Sequence, residues 1–375
     1  MEARLAATLW GVPGSTPPDG PHVVIVDGTN TLYRAFFAIP DLRAPDGTPT
    51  NAAYGFVNML GRLLREEQPD HLIAVFDARG KTFRHQVYAE YKANRDAQPE
   101  NLSAQIPLVR ELVEAYRIPI LEVEGFEADD VIATLVARAP RSARISIVST
   151  DKDLMQLVGE RVVLLDGIKD RRYGPAEVEA RFGVPPEKVL DVRALVGDPS
   201  DNIPGVKGIG EKGAAKLIAE WGDLDNLLAH VEEVDAKRAR NALREGAADA
   251  RLSKSLATLR VDAPLPLDVA KLERSDPDRE SLRALFTRLG FTRLLQALGD
   301  AGESAPAGAG ASEVAVEWIG DAAALQALQQ RLLALPLVSL LLVVDGEGIA
   351  ACRPLGVALA LDPERAAFVP LSRMG

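Results

Sequence analysis

The first strongly patterned stretch of the chain begins at His22, where an apolar run, HVVIVD (22–27), is closed by an acid. Similar runs recur at HLIAVFD (71–77) and ARISIVSTD (143–151), with a weaker one at PILEVEG (119–125). Short runs rich in Val and Ile, without polar alternation, predict strands buried on both faces, as in a parallel sheet. Between them, apolar residues at helical spacing predict amphipathic helices over Ala53–Glu66, Leu102–Tyr116 and Asp129–Ala139. Strands separated by helices up to about Leu165 predict an α/β fold, a mostly parallel sheet with helices on both faces.

From Gly174 to about Leu298 strand signals stop. Short helices bounded by Gly and Pro follow: PAEVEARFG, PPEKVLDVRALVG, EKGAAKLIAEWG and RESLRALFTRLG. They predict a smaller all-α domain. GDAGESAPAGAGASE (299–313) has the composition of a flexible linker. An αβ pattern resumes from Val314 with PLVSLLLVVDG and GVALALD and breaks off at Gly375, so 314–375 reads as the start of a further, incomplete domain. The expected organisation is a loose tail (1–20), an αβ domain (21–173), a helical domain (174–298), the linker and this fragment.

Composition narrows the classes. The single cysteine, Cys352, excludes an internal disulfide framework and a thiolate zinc cage, and suits a reducing cytoplasm. No apolar run is long enough to span a bilayer, and MEARLAATLWGVPGST is too weakly charged for a signal peptide. The net charge of −11 argues against nucleic-acid binding only if the acid is scattered, because bound cations would cancel acid gathered in one place.

The acid is gathered. Asp27 and Asp77 close two predicted strands, and Asp151 and Asp153 follow a third. In a doubly wound sheet, ligands bind beyond the carboxyl ends of the strands, so these side chains would converge on one crevice. GFEADDV adds Glu127, Asp129 and Asp130 at a helix start, and GDPSDN adds Asp198 and Asp201. Taken singly, such residues are ordinary turn or helix-capping acids. Taken together they would repel one another and require a counter-ion. An all-oxygen donor set suits Mg2+ or Mn2+, and a pair of such ions suits phosphodiester hydrolysis.

Two basic features accompany the acids. RGKTFRHQVYAEYKANR (79–95) sets Arg79, Lys81, Arg84, Lys92 and Arg95 against Glu90 alone, with Phe83, Tyr88 and Tyr91 interleaved. That fits phosphate contacts plus base stacking on a single strand; a solvated amphipathic helix is the alternative. In GVKGIGEKGAAK (205–216), Gly205, Gly208 and Gly210 permit a tight turn into a helix, where the backbone can approach a phosphate and Lys207, Lys212 and Lys216 add charge. A helix hairpin with capping glycines is the plainer alternative. A clamp of this kind would bind without sequence preference.

The combination DGTN, FD, YKANR, GFEADD, STDKD and GDPSDNIPGVKGIGEKGA closely resembles the 5′ nuclease (5′–3′ exonuclease) domains of bacterial DNA polymerase I, within the flap endonuclease family, over about residues 22–298. The resemblance implies a PIN-like catalytic sheet followed by a helix-hairpin (helix-three-turn-helix) clamp. It implies two divalent ions, one among Asp27, Asp77, Glu127, Asp129 and Asp130, the other among Asp151, Asp153, Asp198 and Asp201. It also implies that Lys92 contacts the scissile phosphate with Arg84 assisting, that Tyr33 stacks on the base near the cut, and that Arg84–Gln105 forms an arch for a 5′ strand. The 205–210 turn would grip duplex DNA and hold a potassium ion. The expected partner is branched, nicked or 5′-flap DNA, bound by a cytoplasmic, nucleoid-associated monomer. The last segment resembles the opening of the 3′–5′ proofreading domain, with Leu341 and Val343 where a metal-binding acid pair belongs; Asp345 and Glu347 share that spacing but fall in the turn beyond the strand. Two other readings are a PIN-like ribonuclease, which leaves the 205–216 turn unexplained, and a non-enzymatic DNA-binding scaffold with a structural metal.

Overall fold

The computed structural model describes residues 20–169, 171–265, 275–300, 315–333, 339–345, 353–362 and 365–371, which fall into two compact units divided between Leu298 and Gly299. All but the last residue of the expected tail and most of the expected linker lie outside the described residues. Among the described residues no helix is long and apolar enough to cross a membrane.

In the first unit the chain runs β1 (His22–Asp27), α1 (Gly28–Ala38), α2 (Asn51–Glu66), β2 (His71–Val75), α3 (Phe83–Val87), α4 (Glu100–Ser103), α5 (Ile106–Ala115), β3 (Ile120–Leu121), α6 (Ala128–Arg138) and β4 (Arg144–Val148). A 3-10 turn at Asp153–Leu157 leads to β5 (Val162–Asp166) and β6 (Arg171–Tyr173). Helices follow: α7 (Pro175–Phe182), α8 (Val189–Val196), α9 (Glu211–Trp221), α10 (Leu224–Ala229), α11 (Lys237–Ala257), α12 (Arg279–Leu289) and α13 (Thr292–Asp300). The sheet order is β3-β2-β1-β4-β5-β6, parallel throughout except for β6 at the edge. The chain moves outward from β1 through β2 and β3, then returns to place β4 on the other side of β1. The crevice beyond β1 and β4 is therefore the point where strand order reverses, the usual ligand position of such sheets.

All six residues of β1 are buried, which is why its sequence shows an unbroken run. Val23 and Ile25 face one core with Val131 and Leu135 of α6; Val24 and Val26 face another with Phe56 and Leu60 of α2. The helical stretch read as a separate domain joins both. Val189, Leu195 and Ile218 pack into the first core, so α7–α11 share it with the sheet. Phe286 and Phe291 pack into the second with Leu112, and the Asp278 amide donates to the Ala115 carbonyl at 2.8 Å, so α12 and α13 return to the opposite face of the sheet. The expected strand at 119–125 shrinks to two residues, with Glu122 and Glu124 exposed.

The second unit contains β7 (Ala315–Trp318), α14 (Ala322–Leu333), β8 (Ser339–Asp345), β9 (Arg353–Asp362) and β10 (Arg365–Pro370), in sheet order β7-β10-β9-β8. Leu328 of α14 packs with Ile319 and Ala367. Asp345 is the last residue of β8, paired with Arg353, rather than part of the following turn; Glu347 lies outside the described residues.

Candidate active site

β1 delivers Asp27 to the crevice, and its carboxylate serves two neighbours. Oδ1 accepts the Asn30 amide at 3.0 Å, capping α1, and Oδ2 accepts the Ser149 hydroxyl at 2.8 Å. Ser149 directly follows β4; its Oγ accepts the Asp151 amide at 3.0 Å, and Asp151 Oδ1 accepts the Asp153 amide at 2.9 Å. Asp77, just past β2, accepts the Ala128 amide at 2.8 Å and so meets the first turn of α6 beside Asp129. A chain of short polar contacts thus ties the carboxyl ends of β1 and β4 together, with the end of β2 tied to α6.

Electrostatics record how close these acids are. Burial, with Asp77 and Asp151 adding repulsion, pushes Asp27 up to about 7. Burial and then Asp151, Asp27, Asp153 and Asp77 hold Asp129 well above the usual carboxylate range. Burial pushes Asp153 up to about 6 even though Arg193 opposes it. Like charges at this spacing call for a cation, and hard oxygen donors of this kind fit a divalent one. Among the described residues no three His, Cys, Asp or Glu side chains close on a single point.

The protein's own cations go to Asp153 and to the acids not yet described. Arg193 on α8 donates from Nε to Asp153 Oδ1 at 2.8 Å and from Nη2 to Asp198 Oδ2 at 2.6 Å. Burial raises Asp198, but Arg193 and the Ser200 amide outweigh it and hold the carboxyl below its ordinary range. Lys92 Nζ donates to Glu127 Oε1 at 2.7 Å and lies 3.7 Å from Asp201 Oδ2. Burial lowers the Lys92 ammonium, and Glu127 and Asp201 more than reverse that. Arg95 pairs with Asp201 through Nε at 3.2 Å and through Nη2. The basic strip is held by backbone too: Lys92 adopts a left-handed φ of 58° and its amide donates to the Asp201 carbonyl at 2.9 Å.

Several expected roles change. Asp130 is 0% exposed; Arg84, 2% exposed, donates to both its oxygens at 2.6 and 2.9 Å, and the Arg260 amide adds a third bond at 2.9 Å. Arg84 Nε also donates to the Leu256 carbonyl at 2.7 Å, so this pair is a buried tie between α3, α6 and the end of α11. Asp130, expected among the metal ligands, and Arg84, expected beside the scissile phosphate, are thus committed to each other inside the fold. Tyr91, expected as a stacking surface, is 4% exposed, and its hydroxyl lies 2.9 Å from Glu127 Oε2 and 3.2 Å from Asp201 Oδ2. Tyr33 is half-buried on α1 and donates to Gln98 Oε1 at 3.2 Å.

Within the 205–216 turn, Gly205 is buried. Its amide donates to Ser253 Oγ at 2.9 Å, and a Cβ there would strike the Val196 carbonyl group, so its role is packing rather than DNA contact. Gly208, at φ 95° with open space around it, and Gly210, directly before α9, are exposed, as are Lys207, Lys212 and Lys216. Arg79 and Lys81 are exposed beside β2. Sequence reasoning missed Ser149, which links Asp27 to Asp151, and Arg193; the one hint was an Arg inside the apolar pattern VLDVRALV.

Residues 22–183 match the 5′–3′ exonuclease N-terminal resolvase-like domain and residues 184–280 match the 5′–3′ exonuclease C-terminal SAM fold. The chain belongs to the 5′–3′ exonuclease family. DNA polymerase I of Bacillus caldotenax is 45% identical over 279 residues, 73% of this chain and 32% of that one. The thermostable DNA polymerase I of Thermus thermophilus is 43% identical over 74% of this chain and 33% of its own length. The chain spans about a third of the length of these relatives. Among solved structures, the bacteriophage T5 5′-exonuclease with bound zinc has a TM-score of 0.53 at 21% identity, covering 75% of this chain and 100% of that one. The T5 flap endonuclease in a pseudo-enzyme–product complex with DNA and metal ions has a TM-score of 0.54 at 21% identity, covering 74% and 99%. The catalytic core of Rad2 with DNA substrate has a TM-score of 0.52 at 18% identity, covering 75% and 93%. These three share the fold with residues of the first unit.

Proposed function

We propose that the 5′–3′ exonuclease activity of this chain is structure-selective, cutting 5′ ends and 5′ flaps of branched or nicked DNA with two divalent ions, Mg2+ or Mn2+, as part of a DNA polymerase I working in replication and repair in the cytoplasm. One observation carries the reading: burial and acidic neighbours, Asp77 and Asp151 among them, raise the carboxyls of Asp27, Asp129 and Asp153 at the reversal point of the sheet, where hydrogen bonds tie the ends of β1 and β4. Asp27, Asp77, Asp129 and Glu127 would hold one ion, and Asp151, Asp153, Asp198 and Asp201 the other. Bound there, such ions would lower the pKa of a bound water, so that it gives up a proton and attacks phosphorus as hydroxide, and would offer positive charge to the leaving oxygen. Lys92 stands at the rim with its ammonium on Glu127, within reach of a phosphate drawn to that edge. Exposed Lys207, Gly208, Lys212 and Lys216 offer amides and charge to a duplex backbone without reading bases, with a potassium ion at the same turn. Tyr33, on α1, the helix that follows Asp27, would stack on the base near the cut.

The deciding experiment incubates the protein with a 5′-flap duplex, a blunt duplex and single-stranded RNA, in Mg2+ or in EDTA. Mg2+-dependent release of short 5′ products from the flap alone is the expected result. Binding with no cleavage under any metal overturns the proposal, and cleavage of the RNA favours the ribonuclease reading.

A further inference from the structure

Arg193 has no part in the function just described, and its surroundings are unusual for a cation. It lies on α8 between Val192 and Ala194 and is 7% exposed. Its guanidinium leaves that packed helix to reach two carboxylates from different segments, Asp153 after β4 and Asp198 before α9. Nη2 lies 2.8 Å from Asp153 Oδ1 and 2.6 Å from Asp198 Oδ2, so one nitrogen already bridges them. Both are carboxylates proposed to hold the second ion. A guanidinium and a divalent cation draw on the same oxygen lone pairs, and short charge-assisted bonds to a buried guanidinium are among the strongest such contacts.

We infer that Arg193 is a built-in counter-ion at the second metal position: it neutralises Asp153 and Asp198 in the metal-free protein, and an ion binding there displaces it. The inference rests on the proposal that these carboxylates hold divalent ions. It makes the two positions unequal. The ion among Asp27, Asp77 and Asp129 meets acids already short of positive charge. The second ion binds only to the fraction of molecules in which Arg193 has withdrawn, so its apparent affinity is reduced by that fraction. Arg193 thus acts through the ligands and not on the reacting atoms. The alternative, a strut that holds Asp153 and Asp198 ready for the ion, predicts the opposite sign: removing a strut weakens the second site, whereas removing a competitor tightens it.

The test is a Mn2+ titration of the whole EDTA-stripped chain by calorimetry, with free Mn2+ followed by electron paramagnetic resonance. The wild type should bind one ion tightly and a second more weakly. In Arg193→Met the weaker step should tighten by about tenfold. The stripped variant should also melt at a lower temperature, because Asp153 and Asp198 then face each other uncompensated, and Mn2+ should restore it by more than it stabilises the wild type. Arg193→Lys keeps a charge but loses the planar fork, so its second step should tighten by less. It also decides the matter should Arg193→Met fail to fold. A second step unchanged or weakened in the folded variants overturns the inference while leaving the metal reading intact. A wild type that binds no Mn2+ overturns both.

Discussion

Asp27 and Asp198 belong to one polar network, linked through Ser149, Asp151, Asp153 and Arg193, yet they shift in opposite directions. Burial and acidic neighbours push Asp27 up to about 7, while at Asp198 the Arg193 guanidinium overcomes burial and holds the carboxyl low. On the sheet side, acids are stacked against acids. On the helical side, Arg193, Lys92 and Arg95 have already taken up the negative charge. The difference shows that a cluster of carboxylates is not one electrostatic object. One part is left under stress that a cation from solvent relieves, and the other is neutralised from within.

The strongest way to break this contrast is at Asp77. Asp77→Ala should lower single-turnover flap cleavage by more than about a hundredfold, beyond what second-layer changes at metal sites usually cost. Flap binding by fluorescence anisotropy should stay within a few fold. Wild-type turnover in that variant would remove the sheet-side acids from catalysis. Next in size, two adjacent acids should part company in urea unfolding with EDTA present. Asp130→Asn breaks the buried pair with Arg84 and should cost about 3 kcal/mol. Asp129→Asn removes a charge that the fold disfavours and should stabilise the stripped protein. Equal effects at the two positions would erase the distinction drawn between them.

The smallest effect is a slope. Asp27 and Asp153 have folded values raised above 3.8, to about 7 and about 6. Their contribution to stability is therefore fully present below the unfolded value and is lost as pH rises through 6 to 7. In EDTA the melting temperature should fall between about pH 5 and about pH 8, and Asp27→Asn should flatten part of that fall. A wild-type curve rising over this window would contradict the assignment.

Much of this was written plainly in the sequence, for identifiable reasons. β1, β2 and β4 are buried on both faces, so each appears as an apolar run with an acid at or just past its end, and the acids of the crevice could be named at once. The short β3 looks longer in the sequence because Pro-Ile-Leu and Val123 mimic a strand while only two residues pair. The 21-residue α11 is faint in the sequence because its buried positions include Gly246, Ala250 and Ser253, which carry little hydrophobic signal. The cations were harder still. Arg84 meets the Leu256 carbonyl across 172 residues and Arg193 meets Asp153 across 40, and no local pattern encodes a pairing over that distance. A single-sequence reading finds the acids because strand ends gather them; it cannot see which of them the fold has already satisfied.

Gly197 and Gly205 carry a final consequence. Both have positive φ, and a Cβ on either would run into the other's backbone or the residues beside it, while Asp198 and Ile203 exchange amide bonds between them. The loop bearing Asp198 and Asp201 is thus fastened at each end by a residue with no side chain at all. Its tolerance to mutation is set there as firmly as at the acids themselves. Random mutagenesis scored for lost cleavage would mark two chemically blank positions as essential, and an inventory of reactive groups would pass over both.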